Sequence, residues 1–180
     1  MKRFLFLSIL VFMTFMIWVS IHEKEDDMSL PQKLEHAMRL TSMMEYQDDD
    51  YDYIVRYPSF FEQTEDSLMD KGSCRFSFWQ DSTEIVQTVF VEPNPDILSI
   101  DQGMKKYAEE LYATRQEKGK DYFILSGALH NDSSQISGRR FYAKFVRHRK
   151  LWFVQTLAYP EDCEQAVQRL IHEIHDWRVW

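Results

Sequence analysis

Glycine, proline and cysteine are all scarce in this sequence, and each shortage narrows the class of protein. The 180 residues include five glycines, five prolines and two cysteines. The sequence contains no G-x-S-x-G elbow, no P-loop and no G-x-G-x-x-G motif, so the usual signatures of serine hydrolases and nucleotide-binding proteins are missing. Aromatic residues make up 15% of the chain, which is too many for a disordered protein. We therefore expect a folded domain with a substantial core.

Basic residues are also fewer than acidic residues in this chain. The chain has 21 lysines and arginines against 29 aspartates and glutamates, for a net charge of −8. The first 21 residues carry Lys2 and Arg3 and no acid, so the remainder has a net charge of −10. Nucleic-acid binding requires a basic footprint, which this composition does not provide. The sequence predicts no nucleic-acid partner, and no motif indicates a cofactor.

Charged residues are absent between Phe4 and Ile21, directly after Lys2 and Arg3. Eighteen residues in a helix span about 27 Å, close to the thickness of the hydrocarbon core of a bilayer. A basic start followed by an apolar run keeps the basic end in the cytoplasm. We expect residues 1–21 to be a signal-anchor and the rest to lie in the periplasm or on the cell surface. The alternative is a cleaved signal peptide and a secreted protein, although no small-residue cleavage triplet precedes His22.

The remaining sequence predicts an α+β fold with the order helix, three strands, helix, three strands, helix. Residues 22–50 read as a linker with a short helix that begins at Ser29 and continues toward Gln47. Residues 51–180 read as one globular domain, in which about six strands form an antiparallel sheet packed by helices. Alternating apolar residues mark the strands, in segments that run over 51–57, 74–78, 85–91, 122–129, 141–146 and 151–159.

Two further helices complete this pattern. One begins at Ser99, which forms a capping box with Gln102, and is expected to end at Lys118 with Gly119 as its cap. The other is expected to begin at Pro160 and to reach Trp177.

Several of these segments resemble the PsbP-like family, which is named for an extrinsic subunit of photosystem II. The sequence Tyr57-Pro58-Ser59-Phe60 is similar to the family's early extended segment, and 150–162 (KLWFVQTLAYPED) resembles its last strand and the turn that follows. The glycine usual near the final hairpin turn is replaced by His148-Arg149-Lys150. The resemblance covers about residues 51–180. It implies a non-enzymatic binding or assembly role outside the cytoplasm and supplies no catalytic residues.

Two short motifs could hold a metal ion. His172 and His175 share a helix face in H-E-I-H, one residue short of the zinc protease spacing, and no third ligand is evident. Asp48, Asp50 and Asp52 match the opening of an EF-hand loop, but Tyr53 stands where that loop needs glycine. The alternative for the histidines is a solvated helix shoulder, and the alternative for the aspartates is a solvated acidic linker.

A basic segment near the end of the chain could bind an anionic ligand or lipid head group. It holds six bases and no acid in twelve residues, namely Arg139, Arg140, Lys144, Arg147, Arg149 and Lys150. Strand alternation places Arg140 and Lys144 on one face and Arg139 and Arg147 on the other. The alternative is that these bases are solvated or neutralise the acids between Glu45 and Asp70.

Two further features leave alternatives open. Cys74 and Cys163 could form a disulfide in an exported protein or could be two separate buried thiols. The tryptophans and nine tyrosines could mark a contact surface or could fill a glycine-poor core.

The sequence as a whole favours an exported, membrane-anchored binding or assembly domain with an envelope protein as its partner. The alternatives are a module that binds a small anion or a cation, and a metal-dependent hydrolase.

Overall fold

The computed structural model describes residues 28–179, except 81 and 133, and shows an α+β fold with three helices and a large antiparallel sheet. The helices are α1 (Leu30–Leu40), α2 (Ile100–Glu110) and α3 (Gln168–Asp176). The strands are β1 (Met43–Gln47), β2 (Ile54–Pro58), β3 (Glu62–Gln63), β4 (Cys74–Gln80), β5 (Thr83–Pro93), β6 (Arg115–Lys118), β7 (Tyr122–Asn131), β8 (Ser134–His148) and β9 (Leu151–Pro160). Short 3-10 turns occur at Asp66–Leu68 and Glu161–Cys163.

The main sheet has seven strands in the order β3-β4-β5-β9-β8-β7-β6, and every neighbouring pair is antiparallel. The two remaining strands, β1 and β2, form a separate antiparallel pair. The predicted α+β class is confirmed. The expected single sheet of about six strands is wrong, because the strand predicted over 51–57 pairs with a segment that the sequence places in a helix.

Apolar side chains cover the sheet on both faces. The first face packs against α1, α3 and β2, and its core includes the fully buried Leu34, Val55, Phe76 and Leu170. The second face packs against α2, with Phe123, Trp152 and Val154 at the centre of its core. The strand β9 contributes to both cores through alternate residues, as its nearly continuous apolar sequence predicts.

Gly103 explains how closely α2 approaches the second face. A Cβ atom at this position would lie 2.6 Å from Cζ2 of Trp152, which is fully buried. The absence of a side chain therefore lets the backbone of α2 rest on the indole ring. Tyr107, one turn further along α2, packs on Phe145 with the two ring centroids 4.6 Å apart.

Three helix boundaries differ from the prediction. The first helix ends at Leu40, and Met43–Gln47 is the strand β1, which joins residues 30–47 to the domain instead of leaving them as a linker. The second ends at Glu110 because Tyr112 adopts a φ of 52°, and Arg115–Lys118 then pairs as a strand with β7. The third begins at Gln168, after a 3-10 turn, instead of at Pro160.

The expected membrane span, Phe4–Ile21, lies outside the described residues. Within the part of the chain that the structure describes, no helix is both long enough and apolar enough to cross a bilayer.

Candidate functional site

The six bases of the basic segment lie along β8 and its turn and do not form one patch. Arg139 and Arg147 lie on the second face, where each donates a hydrogen bond to a backbone carbonyl, of Glu84 at 2.6 Å and of Leu98 at 3.2 Å. Arg149 and Lys150 are exposed in the turn between β8 and β9.

Arg140 and Lys144 lie on the first face and have different partners. Arg140 pairs with Glu161 at 3.2 Å and with Glu164 at 3.7 Å. The alternation therefore separates the bases as the sequence predicts. The acids that pair with Arg140 are Glu161 and Glu164, which lie outside the acidic segment between Glu45 and Asp70.

The three aspartates of the D-x-D-x-D motif build the turn between β1 and β2. Asp48 is buried, and its Oδ1 accepts hydrogen bonds from the backbone N–H groups of Asp50 at 3.1 Å and Tyr51 at 2.7 Å. Asp52 has a φ of 55° and accepts a bond from Gln47 Nε2 at 3.1 Å. Asp50 forms an ion pair with Lys71 at 2.9 Å. Each carboxylate thus has a partner within or beside the hairpin.

The two histidines of α3 have different partners. His172 is exposed and lies 3.3 Å from a carboxylate oxygen of Asp176, whereas His175 Nδ1 lies 3.3 Å from the hydroxyl of Tyr142. Across residues 28–179 without 81 and 133, no three His, Cys, Asp or Glu side chains are grouped so that they could hold a metal ion.

Cys74 and Cys163 are both buried and are free thiols. Burial raises the pKa of each to about 12, so neither is a thiolate at neutral pH. Of the two alternatives for the cysteines, the structure has the separate buried thiols.

A buried polar row crosses the first face, and it consists of Gln87 on β5, Gln155 on β9 and Lys144 on β8. Lys144 lies opposite Gln155, and Gln155 lies opposite Val89, two residues from Gln87. The exposed fractions are 0% for Gln87, 1% for Gln155 and 0% for Lys144. Burying a polar group is costly unless a hydrogen bond compensates for it, so this row is the least expected feature of the core.

Lys144 is compensated by the end of α3. Its ammonium donates to the carbonyl oxygens of His175 and of Trp177, the latter at 2.8 Å, and lies 4.4 Å from the centroid of the Tyr122 ring. The negative, C-terminal end of the α3 dipole also stabilises a cation at this point. Lys144 is therefore a structural residue that anchors α3, although the sequence places it with the ligand-binding bases.

The two glutamines are only partly compensated. Gln87 Nε2 donates to the carbonyl of Arg56 at 2.8 Å. The Oε1 atoms of Gln87 and Gln155 have no hydrogen-bond partner among the described residues. An unsatisfied buried acceptor costs about 1–3 kcal/mol.

A cavity of about 270 Å³, which we call the C-terminal cavity, lies beside Gln155 at the end of α3. Ile54 and Trp177 supply apolar lining, and the Trp177 indole N–H donates to the carbonyl of Ile54 at 2.7 Å. The charged lining residues are Glu45, Arg56, Glu173, Asp176 and Arg178.

A second cavity, which we call the α2-end cavity, opens on the other face of the sheet and has a volume of about 320 Å³. Its lining includes Leu111, Leu129, Phe141, Ala143 and Ala158. Two carboxylates, Glu110 and Asp132, also line it, and His130 stacks on Tyr112 with the ring centroids 4.6 Å apart.

Sequence reasoning missed the glutamines, although a signal was present. The tripeptide V-Q-T occurs at 86–88 in β5 and again at 154–156 in β9, each time inside an apolar strand. An amide at an inward position of a buried strand indicates a specific polar contact. Of the tryptophans, Trp79 is 57% exposed and Trp152 is fully buried, so some of the aromatic residues fill the core and others lie on the surface.

The fold is PsbP-like. The structure resembles the solution structure of cyanobacterial PsbP (CyanoP) from Synechocystis sp. PCC 6803, with a TM-score of 0.56 and 17% identity over 77% of this chain and 93% of that one. It also resembles PA94 of Pseudomonas aeruginosa, a protein of unknown function, with a TM-score of 0.51 and 9% identity over 77% of this chain and 96% of that one. The sequence matches no protein-family model and no curated protein. At these identities the likeness concerns the fold alone.

Replacing Lys144 tests its role as the anchor of α3. The Lys144→Met change leaves the carbonyls of His175 and Trp177 without their donor, so we expect the free energy of unfolding to fall by about 1–3 kcal/mol. The exposed Lys150, in the same hairpin, provides the control, since Lys150→Met should change the free energy of unfolding little. Urea denaturation measures both.

The same pair of variants has a pH signature. Burial, with a smaller contribution from Arg178, lowers the pKa of Lys144 from 10.5 to about 8. Between pH 8 and pH 10 the unfolded chain therefore binds more protons at this residue, and the stability of the wild type should rise with pH relative to Lys144→Met. A stability difference that is flat or falls over this interval would show that the ammonium is not desolvated.

Proposed function

We propose that this protein is an exported domain, tethered to a membrane by Phe4–Ile21, that binds another protein of the cell envelope and catalyses no reaction. The observation that carries the proposal is the incomplete covering of the second face of the sheet. An eleven-residue helix, α2, spans roughly 16 Å, whereas seven strands span roughly 29 Å. Part of the second face is therefore not covered by the residues that the structure describes.

The uncovered part has the chemistry of a protein contact. The α2-end cavity has apolar side chains from Phe141, Ala143 and Leu129, and the exposed rings of Tyr112 and Trp79 lie on or beside the same face. Tyrosine and tryptophan are enriched in protein interfaces because a large apolar surface is combined with a polar group.

Charge indicates the kind of segment that this cavity accepts. Glu110 and Asp132 line the cavity, and residues 22–180 carry a net charge of −10. We therefore propose a partner segment that inserts an apolar side chain and places a lysine or arginine beside it. Charge complementarity of this kind increases the association rate and excludes acidic partners.

Other features support a role in binding over one in catalysis. The two thiols have raised pKa values, and the two histidines of α3 contact different groups. The PsbP-like fold, seen at low identity, is compatible with this role and does not by itself establish it. The alternative of a metal-dependent hydrolase at His172 and His175 has no supporting geometry in the described part of the chain.

The proposed location predicts a specific topology. Protease added to the outer side of the cytoplasmic membrane should digest the domain while a cytoplasmic protein survives, because Lys2 and Arg3 hold the N-terminus inside. The protein should also remain in the membrane pellet after carbonate extraction. A soluble species that begins near His22 would show that the segment is cleaved, and a domain resistant to protease in intact spheroplasts would contradict export.

The proposed binding surface can be tested by site-specific crosslinking in cells. A photoreactive residue at Tyr112, which is 46% exposed beside the α2-end cavity, should give a discrete adduct, whereas one at the exposed Glu35 of α1 should not. Glu110→Lys reverses a charge at the cavity and should reduce the yield from Tyr112 several-fold.

The neighbouring Glu109 provides a matched control. It is exposed on the same helix and does not line the cavity, so Glu109→Lys should leave the adduct unchanged. Equal adducts from Tyr112 and Glu35, or equal effects of the two charge reversals, would contradict a binding site at the α2-end cavity.

A further inference from the structure

The C-terminal cavity contains an acceptor that the protein itself does not use. Gln155 lines this cavity, is 1% exposed, and has an Oε1 atom without a hydrogen-bond partner among the described residues. Buried polar groups in folded proteins are nearly always paired, so an unpaired amide oxygen beside a cavity indicates a donor supplied from outside.

The charges around the cavity favour a cation. Three carboxylates line it, those of Glu45, Glu173 and Asp176, against the two guanidinium groups of Arg56 and Arg178. Arg56 lies 2.9 Å from Glu45 and 3.8 Å from Glu173, so it partly neutralises both. The side chains that line the cavity keep an excess of one negative charge when His172 is neutral, whereas the buried ammonium of Lys144, which does not line the cavity, is bound to the carbonyl oxygens of His175 and Trp177.

Asp176 and Arg178 leave that excess in place. The partner of Asp176 is the exposed His172, which carries a charge only when it is protonated. The guanidinium of Arg178 lies over the Tyr122 ring, 5.7 Å from its centroid, and forms no ion pair with any described carboxylate. A single positive charge brought in by a ligand would therefore be stabilised most strongly on the side of Glu173 and Asp176.

We propose that the C-terminal cavity binds a small organic cation that carries N–H donors, such as a primary ammonium or guanidinium group. One N–H group donates to Gln155 Oε1, and the positive charge lies beside Glu173 and Asp176. The carbon chain of the ligand contacts Ile54 and Trp177. Charge-assisted N–H donors are the strongest partners for an amide oxygen and carboxylates together.

The chemistry disfavours the other small ligands. An anion would meet the three carboxylates of Glu45, Glu173 and Asp176. No three His, Cys, Asp or Glu side chains are grouped so that they could hold a metal ion in residues 28–179 without 81 and 133. This site is on the opposite side of the sheet from the α2-end cavity, so it can fail or succeed independently of the proposed partner surface.

The test uses the full-length chain in a nonionic detergent and a series of ligands of similar size. Butylammonium and butylguanidinium should bind saturably in isothermal titration and should shift the NMR signal of the Trp177 indole N–H. Tetramethylammonium has the same charge and no N–H donor, so it should bind at least about tenfold more weakly. Butyrate and calcium chloride should produce no saturable change.

The two glutamines of the polar row provide a matched pair of variants. Gln155→Leu removes the acceptor in the cavity, whereas Gln87→Leu removes an equally buried amide that does not line it. We expect Gln155→Leu to weaken butylammonium binding about tenfold and Gln87→Leu to leave it within about twofold. The variant Glu173→Gln, at a partly exposed position, should weaken butylammonium binding as well. It replaces Gln155→Leu as the test if that variant does not fold.

Three outcomes would overturn the proposal. The first is the absence of saturable binding at millimolar butylammonium. The second is that tetramethylammonium binds as tightly as butylammonium. The third is that Gln155→Leu and Glu173→Gln both bind butylammonium as tightly as the wild type does. Adducts from Tyr112 on the other face would be unaffected by any of these results.

Discussion

The covering of the first face depends on one buried cation. Lys144 lies near the middle of β8 and holds the last carbonyls of α3, so it determines where that helix ends on the sheet. Trp177 follows directly and donates its indole N–H to Ile54 in β2. At the other end of α3, Arg169 donates to the carbonyls of Met38 and Thr41, each at 3.0 Å. The helix α3 thus connects the sheet, the β1–β2 hairpin and α1.

The same connections build the C-terminal cavity. Its walls come from β1, β2 and the end of α3, and its inner residue, Gln155, comes from β9. Lys144 fixes the end of α3 on β8, and the hydrogen bond from Gln87 to the carbonyl of Arg56 joins β2 to the same sheet. Among the described residues, the second face has no equivalent device, because α2, the one helix that packs on it there, contacts the sheet through Gly103 and Tyr107 and ends at Glu110. The sheet is therefore closed on one side and partly open on the other, and the two cavities reflect this difference.

Local patterns were sufficient to predict most of the sheet and the class of the fold. The segments that became β4, β5, β7, β8 and β9 alternate clearly, and Ser99 forms the predicted capping box with Gln102. The boundaries that were wrong depend on contacts distant in sequence or on unusual backbone. Met43–Gln47 is compatible with a helix until Asp48 turns the chain and β2 pairs with it. A φ of 52° at Tyr112, which is not a glycine, ends α2 early.

The candidate sites could be predicted only in part, for a related reason. The alternation along β8 correctly separates the basic residues between the two faces, but it does not show that Lys144 is buried under α3. Glu45 and Gln155 line the same cavity although they are 110 positions apart, and no local pattern relates them. The repeated V-Q-T was visible as an anomaly in two apolar strands. Only the pairing register of β5 and β9 shows that the two glutamines lie near each other in one buried row.

Lys144 holds the covering of the first face together through α3. Hydrogen exchange of the wild type and the Lys144→Met variant, compared segment by segment, tests this role most directly. We expect faster exchange in α3 and in β2, which Trp177 joins to it, with α2 and β6 unchanged. An increase spread evenly over the whole domain, or one confined to β8, would contradict the claim.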